Sequence, residues 1–181
     1  HSVRLSQLST LTMRQRDYLV RIHQSETIQQ ALQKVFTEFS IPSIIHGDYR
    51  MPNILFRTDP TQPPLHIIDW ELCGRGPRLY DWATLMTDYV TLYLCHYLET
   101  RGQPTKIHLT DIEKLIQQHY TSLQTCYADN PQALGQEYLQ WIGILLLVKG
   151  LHVIPQAGAR GKLSELLFQM GRRFLLEYHQ L

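Results

Sequence analysis

HGDYRMPNILF, residues 46–56, followed by IIDWE at residues 67–71, is the stretch on which the reading of this chain turns. His46, Asp48, Asn53, Asp69 and Glu71 stand at the ends of short apolar runs instead of lying along a solvated face. Loop positions held by rigid elements are where chemistry tends to be placed. Ser43-Ile44-Ile45 is a β-like run leading into His46, and NILF (53–56) and LHII (65–68) are two more. Between the last two lies RTDPTQPP, a run of turn formers and prolines, so those two runs are expected to pair as a hairpin.

A register in which Phe56 faces His66 puts Asn53 opposite Asp69. Facing residues on antiparallel strands lie about 4.5–5.5 Å apart at Cα. An amide oxygen and a carboxylate would then meet at the open end of the hairpin. Such a pair suits Mg²⁺, which takes one or two protein oxygens and leaves its other positions to water and phosphate. Asp48, five residues before Asn53, enters the same end, where it is placed to orient a hydroxyl or accept its proton. Any one of these acids, taken alone, reads better as a cap for a turn or helix than as a catalytic group. Their convergence favours chemistry.

Outward from this centre the chain reads as helix. Ile28, Leu32, Val35, Phe36 and Phe39 mark one helical face, with Ser25 as N-cap and Pro42 as the stop. Beyond Pro77, Leu79, Trp82, Met86, Tyr89, Val90, Tyr93 and Tyr97 follow helical spacing. Thr110 and Glu113 form a capping-box pattern ahead of Ile112, Leu115, Ile116 and Leu123. Asn130-Pro131 opens an apolar helix through Leu134, Tyr138, Trp141, Ile142 and Leu145. A last helix runs through Leu163, Leu167, Met170, Phe174 and Tyr178. The expected fold class is α+β, mostly α, with a small β hairpin carrying the polar loops.

HGDYRMPNILF, IIDWE and the later GRGPRLYDWA (74–83) together resemble the catalytic core of the aminoglycoside phosphotransferase and choline kinase group, relatives of the protein kinases. The kinase pattern sets an Asp five residues before an Asn, with a second Asp on the metal-binding loop. The resemblance implies a protein-kinase-like C-terminal lobe. It makes Asp48 the catalytic Asp that orients the acceptor hydroxyl, and Asn53 and Asp69 the Mg²⁺ holders against the phosphates of ATP. His46 supports the catalytic loop, Asp81 bonds loop backbone amides, and Glu71 is a supporting or a surface group. Arg50 stands where protein kinases carry a Lys. It either neutralises charge on the transferred phosphate or is an exposed Arg paired with a nearby acid.

The implied activity is ATP-dependent phosphoryl transfer to a hydroxyl of a small molecule. The alternative is a binding or scaffold module that keeps the lobe without catalysis. A metal-dependent hydrolase is weaker, since no second metal cluster accompanies the acids. Residues 1–40 read as helix, with no Gly-rich loop and no strand bearing a Lys. The N-terminal nucleotide-binding lobe of such kinases is therefore expected to be absent from residues 1–181, which form one domain. The chain alone is expected to be inactive and to self-associate through the uncovered lobe face. A start at His1-Ser2 fits a piece of a longer chain or a processed form.

With 181 residues, 44% hydrophobic and 18% charged, the chain can build a core, and disorder is excluded. A net charge of +1 leaves no footprint of a nucleic-acid binder, and no polybasic run suggests a membrane surface. Three cysteines without a CxxC pairing point to a reducing, cytoplasmic setting. His119 and Cys126, seven apart, fall short of the ligands zinc needs and read as a surface His and a buried Cys. Tyr89, Tyr93, Tyr97, Tyr138 and Trp141 have two readings, an aromatic cage for a quaternary ammonium or, more in keeping with burial habits, core.

Overall fold

The computed structural model describes residues 10–38, 42–57, 61, 64–99, 109–126, 131–154 and 160–177. Among the described residues two helices come first, α1 (Met13–Gln24) and α2 (Glu26–Glu38). Thr12 opens α1 with a reciprocal cap, its hydroxyl accepting from Gln15 N and Gln15 Oε1 accepting from Thr12 N. Ser25 divides the two helices, and its hydroxyl accepts from Ile28 N at 3.4 Å. Ile28 and Val35 are buried, with Leu32 packed against the core. Phe36, expected on that face, is 57% exposed. Each helical residue turns about 100° from the last, so Phe36 falls at the rim of the stripe that Val35 centres. Phe39 lies outside the described residues.

Four short strands follow: β1 (Pro42–Ile45), β2 (Ile54–Phe56), β3 (Leu65–Ile67) and β4 (Gly74–Pro77). They form two antiparallel pairs, β1 with β4 and β2 with β3. The hairpin is where it was expected, but its register is not. Leu55 faces His66 and Phe56 faces Leu65, so Asn53 comes opposite Ile68 and not Asp69. Ile68 N donates to Asn53 O, and at the other end Arg57 N donates to Pro64 O. The ladder closes at Pro64, whose missing N–H costs only a terminal bond. Neither short strand has a fully buried face to enforce the other register.

The helical half comprises α3 (Tyr80–Glu99), α4 (Leu109–Cys126), α5 (Pro131–Val153) and α6 (Arg160–Leu176). Thr110 lies inside α4 and is not its N-cap. Asn130 and Tyr178 are outside the described residues. From Leu134 to Leu147, α5 is buried on nearly every side. It runs against α6, and the approach is set by Gly143 and Gly171. A Cβ on Gly143 would lie 2.7 Å from Leu175 N and 2.8 Å from Gly171 O. On α3 the buried face is Ala83, Met86, Thr87, Val90, Thr91, Leu94 and Leu98. Thr87 and Thr91 donate their hydroxyls to Ala83 O and Thr87 O, which lets them be buried. Tyr89 and Tyr97 are exposed, whereas Tyr93 is partly buried against the core.

The N-terminal helices dock on this half. Tyr18 donates to Leu147 O at 2.9 Å, and Arg21 makes a two-pronged pair with Glu165. A hydrophobic core draws side chains from all six of these helices. Among the described residues no helix is long and apolar enough to cross a membrane.

Candidate active site

β1 delivers the chain to His46 at the base of the polar loop. His46 is 3% exposed. Its Nδ1 accepts from Asp48 N at 3.3 Å, and its Nε2 meets Ile68 O at 2.8 Å. A backbone N–H can only donate, so Nδ1 is unprotonated and Nε2 carries the proton that Ile68 O accepts. One buried ring thus joins the Asp48 loop to the residue before Asp69. It also packs on Trp70, with centroids 4.6 Å apart.

α3 holds the loop from the other side. The Asp81 carboxylate accepts from His46 N at 2.6 Å and from Gly47 N at 3.0 Å. Gly47 has φ +85°, and a Cβ there would stand 2.5 Å from Leu72 O. The loop therefore presses its backbone against the 3₁₀ turn Trp70–Leu72 that follows Asp69.

Two groups meet on one carboxylate. Asp48 Oδ2 accepts from Asn53 Nδ2 and from Arg50 Nε, each at 2.9 Å. Asn53 Nδ2 also donates to Asp48 O. Arg50 takes the pairing that its sequence position left open, with Asp48 itself as the acid. Among the described residues no hydrogen bond falls on Asp48 Oδ1. Asn53 is buried, with its amide nitrogen committed to Asp48. Asp69 has φ 66° and ψ 57°, the one positive φ outside glycine among the described residues. Its carboxylate does not cap the turn that follows. Glu71 is exposed in that turn.

The two aromatic readings separate. Tyr138 and Trp141 are core residues, while Tyr89 and Tyr97 lie on the surface, so the five do not form a cage. His119 is half-buried and bonds Tyr138 Oη through Nδ1, whereas Cys126 is exposed, the reverse of their expected burial. Burial lowers the His119 pKa. It raises that of Tyr49, with Asp81 adding to the effect. Sequence reasoning missed Asp88. Its Oδ2 accepts from Met51 N at 3.4 Å, and its Oδ1 pairs with Lys149 at 2.9 Å. The available signal was its place seven residues, two helical turns, after Asp81.

Residues 5–115, more than half of the chain, match the model of the phosphotransferase enzyme family (APH). The chain belongs to this family. The matched span of this phosphotransferase-family chain contains every group described above on β1 to β4 and on the first turns of α3. Comparisons with curated proteins and with solved structures return no match.

Proposed function

We propose that this chain is the acceptor and metal-holding lobe of an ATP-dependent kinase that moves the γ-phosphoryl group to a hydroxyl of a small molecule. The observation that carries this reading is the shared carboxylate: Asp48 Oδ2 is held by Asn53 and Arg50, which leaves Oδ1 for a substrate. In this reading Oδ1 accepts the acceptor's O–H, aims the oxygen lone pair at phosphorus, and takes the proton as the new O–P bond forms and the bond from the γ-phosphorus to the bridging oxygen breaks, releasing ADP. Asn53 Oδ1 and the Asp69 carboxylate are hard oxygen donors of the kind that fit Mg²⁺. Asp69 does not spend its carboxylate on a cap, and Asn53 does not spend its amide oxygen on Asp48. When bound there, Mg²⁺ would offset phosphate charge. Arg50 adds positive charge beside Asp48. His46 and Asp81 hold the loop rigid, and Glu71 lies at its edge.

The reading requires a nucleotide-binding lobe. Leu55, Phe56, Leu65, Ile68, Trp70 and Leu72 are 41–72% exposed on the hairpin and the turn after it, and they offer that partner an apolar face. The same face would pair copies of the chain left alone. The 181-residue chain by itself is expected to bind ATP and Mg²⁺ only weakly and to turn nothing over, because the sequence of residues 1–40 shows no Gly-rich loop and no strand bearing a Lys to cover a nucleotide.

The test is phosphotransfer by the protein with its nucleotide lobe, followed as ADP release over a panel of hydroxyl compounds. Asp48→Asn should lower turnover about 10²–10⁴-fold with the fold intact. Turnover at the parental rate would remove Asp48 from the reaction.

A further inference from the structure

The 3₁₀ turn Met51–Asn53 carries Asn53, and its backbone donors have an unusual settlement. Asn53 N donates to Arg50 O at 2.9 Å within the turn. Pro52 has no N–H. Met51 N is the remaining donor, and Arg50, the residue in the N-cap position, makes no side-chain cap. The side chain of Arg50 is already on Asp48. The cap comes instead from a distant helix, as Asp88 Oδ2 on α3 accepts from Met51 N. A third element then fixes Asp88. Lys149 Nζ on α5 donates to Asp88 Oδ1 at 2.9 Å, with side-chain exposures of 34% for Lys149 and 13% for Asp88.

Asp81 and Asp88 lie two turns apart on one face of α3, and both accept backbone N–H bonds from the polar loop, at residues 46–47 and 51. α3 is thus a ruler against which the loop is laid at two points. We infer that Asp88 and Lys149 are positioning residues: through Met51 N they set the turn that aims Asn53 at the metal. This rests on the metal reading given above. Lys149 does not touch the site. It acts by holding one carboxylate oxygen, so that the other stays aimed at the loop. Groups behind a metal ligand of this sort typically change metal affinity about 10–100-fold when lost.

The test uses Mn²⁺ alone as the probe and the 181-residue chain. The readout is the Mn²⁺ concentration that half-broadens the Asn53 side-chain amide signal in the NMR spectrum. Lys149→Met should raise that concentration about tenfold while the rest of the spectrum stays folded. Lys149→Arg, which keeps the charge, should bring it back near the parent. Met51 N–H should exchange faster in Lys149→Met and recover in Lys149→Arg. Asp88→Ala, the second variant, should lose Met51 protection altogether. A residue serving only general stability would shift the melting temperature and leave the Mn²⁺ response of the folded state unchanged. Parental Mn²⁺ response in both Lys149→Met and Asp88→Ala, with Asp69→Asn losing it, would overturn the positioning role and leave the metal reading standing. A parental response in Asp69→Asn would remove the metal reading, and with it the purpose assigned to the pair.

Discussion

Gly47 takes the loop through a left-handed turn in direct contact with the backbone of Leu72. An L-residue held there costs roughly 1–2 kcal/mol from its own Cβ. The added methyl also meets a carbonyl oxygen that belongs to the turn after Asp69 and cannot swing away as a side chain would. Gly47→Ala should therefore lower the urea midpoint with an unchanged m-value, and it should separate the two loops that His46 joins. A midpoint equal to the parent would show that the loop relaxes around the methyl. Groups close along the chain were legible from the residues themselves, whereas the reach of Asp81 to the loop amides came only with the family resemblance. Asp48 and Asn53 are five apart, and the side-chain bond between them needs only one tight turn. Asp88 was not legible, because its role depends on α3 passing beneath Met51, which no local pattern states.

Gly143 and Gly171 hold α5 and α6 at backbone contact, which neither helix could reach with any larger residue at the crossing. Gly143→Ala gains helix propensity, worth about 1 kcal/mol. It also drives a methyl against Leu175 N and Gly171 O, and overpacking of this kind costs about 1–3 kcal/mol. Because the neighbours are backbone, the clash should win, and thermal unfolding should move down. An unchanged or higher midpoint would mean that the helices can part. Existence of the helices was readable from spacing, since α5 and α6 each bury residues three and four apart, and α2 buries Ile28 and Val35, two turns apart, with Leu32 packed on the core between them. The buried face of α3 was harder to read. Of the residues at helical spacing, Leu79, Met86 and Val90 are buried and Trp82 and Tyr93 pack against the core, but the same side also uses Ala83, Thr87 and Thr91, small residues that admit close neighbours and carry no strong apolar mark. β4 escaped notice because Gly74-Arg75-Gly76-Pro77 has no strand-prone residue and is a strand only by pairing with β1. The hairpin register failed for a similar reason, as strands without a one-sided burial pattern carry no mark of their pairing.

Ring contacts link the polar loop to the helical half. His46 and Tyr49 lie at 6.1 Å, Tyr49 and Trp82 at 5.6 Å, Trp82 and His119 at 5.6 Å, and His119 and Tyr138 at 5.7 Å. Two titratable groups sit at the far end, and burial acts on them in opposite directions. His119 has its pKa lowered from 6.5, so its contribution to stability is present above 6.5 and is lost as pH falls through the folded value. Glu137 has its pKa raised from 4.5 by burial, against the pull of Arg78, so its contribution is present below 4.5 and is lost as pH rises through the folded value. The two windows open toward each other, and in the parent the effects partly cancel. Single variants should separate them. Relative to the parent, His119→Gln should gain stability as the solution is acidified below 6.5, because it no longer has to charge a half-buried ring. Glu137→Gln should gain relative to the parent as pH rises above 4.5, where the parent must ionise a carboxyl that is 2% exposed. Urea unfolding of the three proteins across this range gives the differences directly. A His119→Gln difference that does not change with pH would mean that the ring is solvated enough in the folded chain to take its proton freely, and that the link from the polar loop to α4 and α5 is one of packing alone.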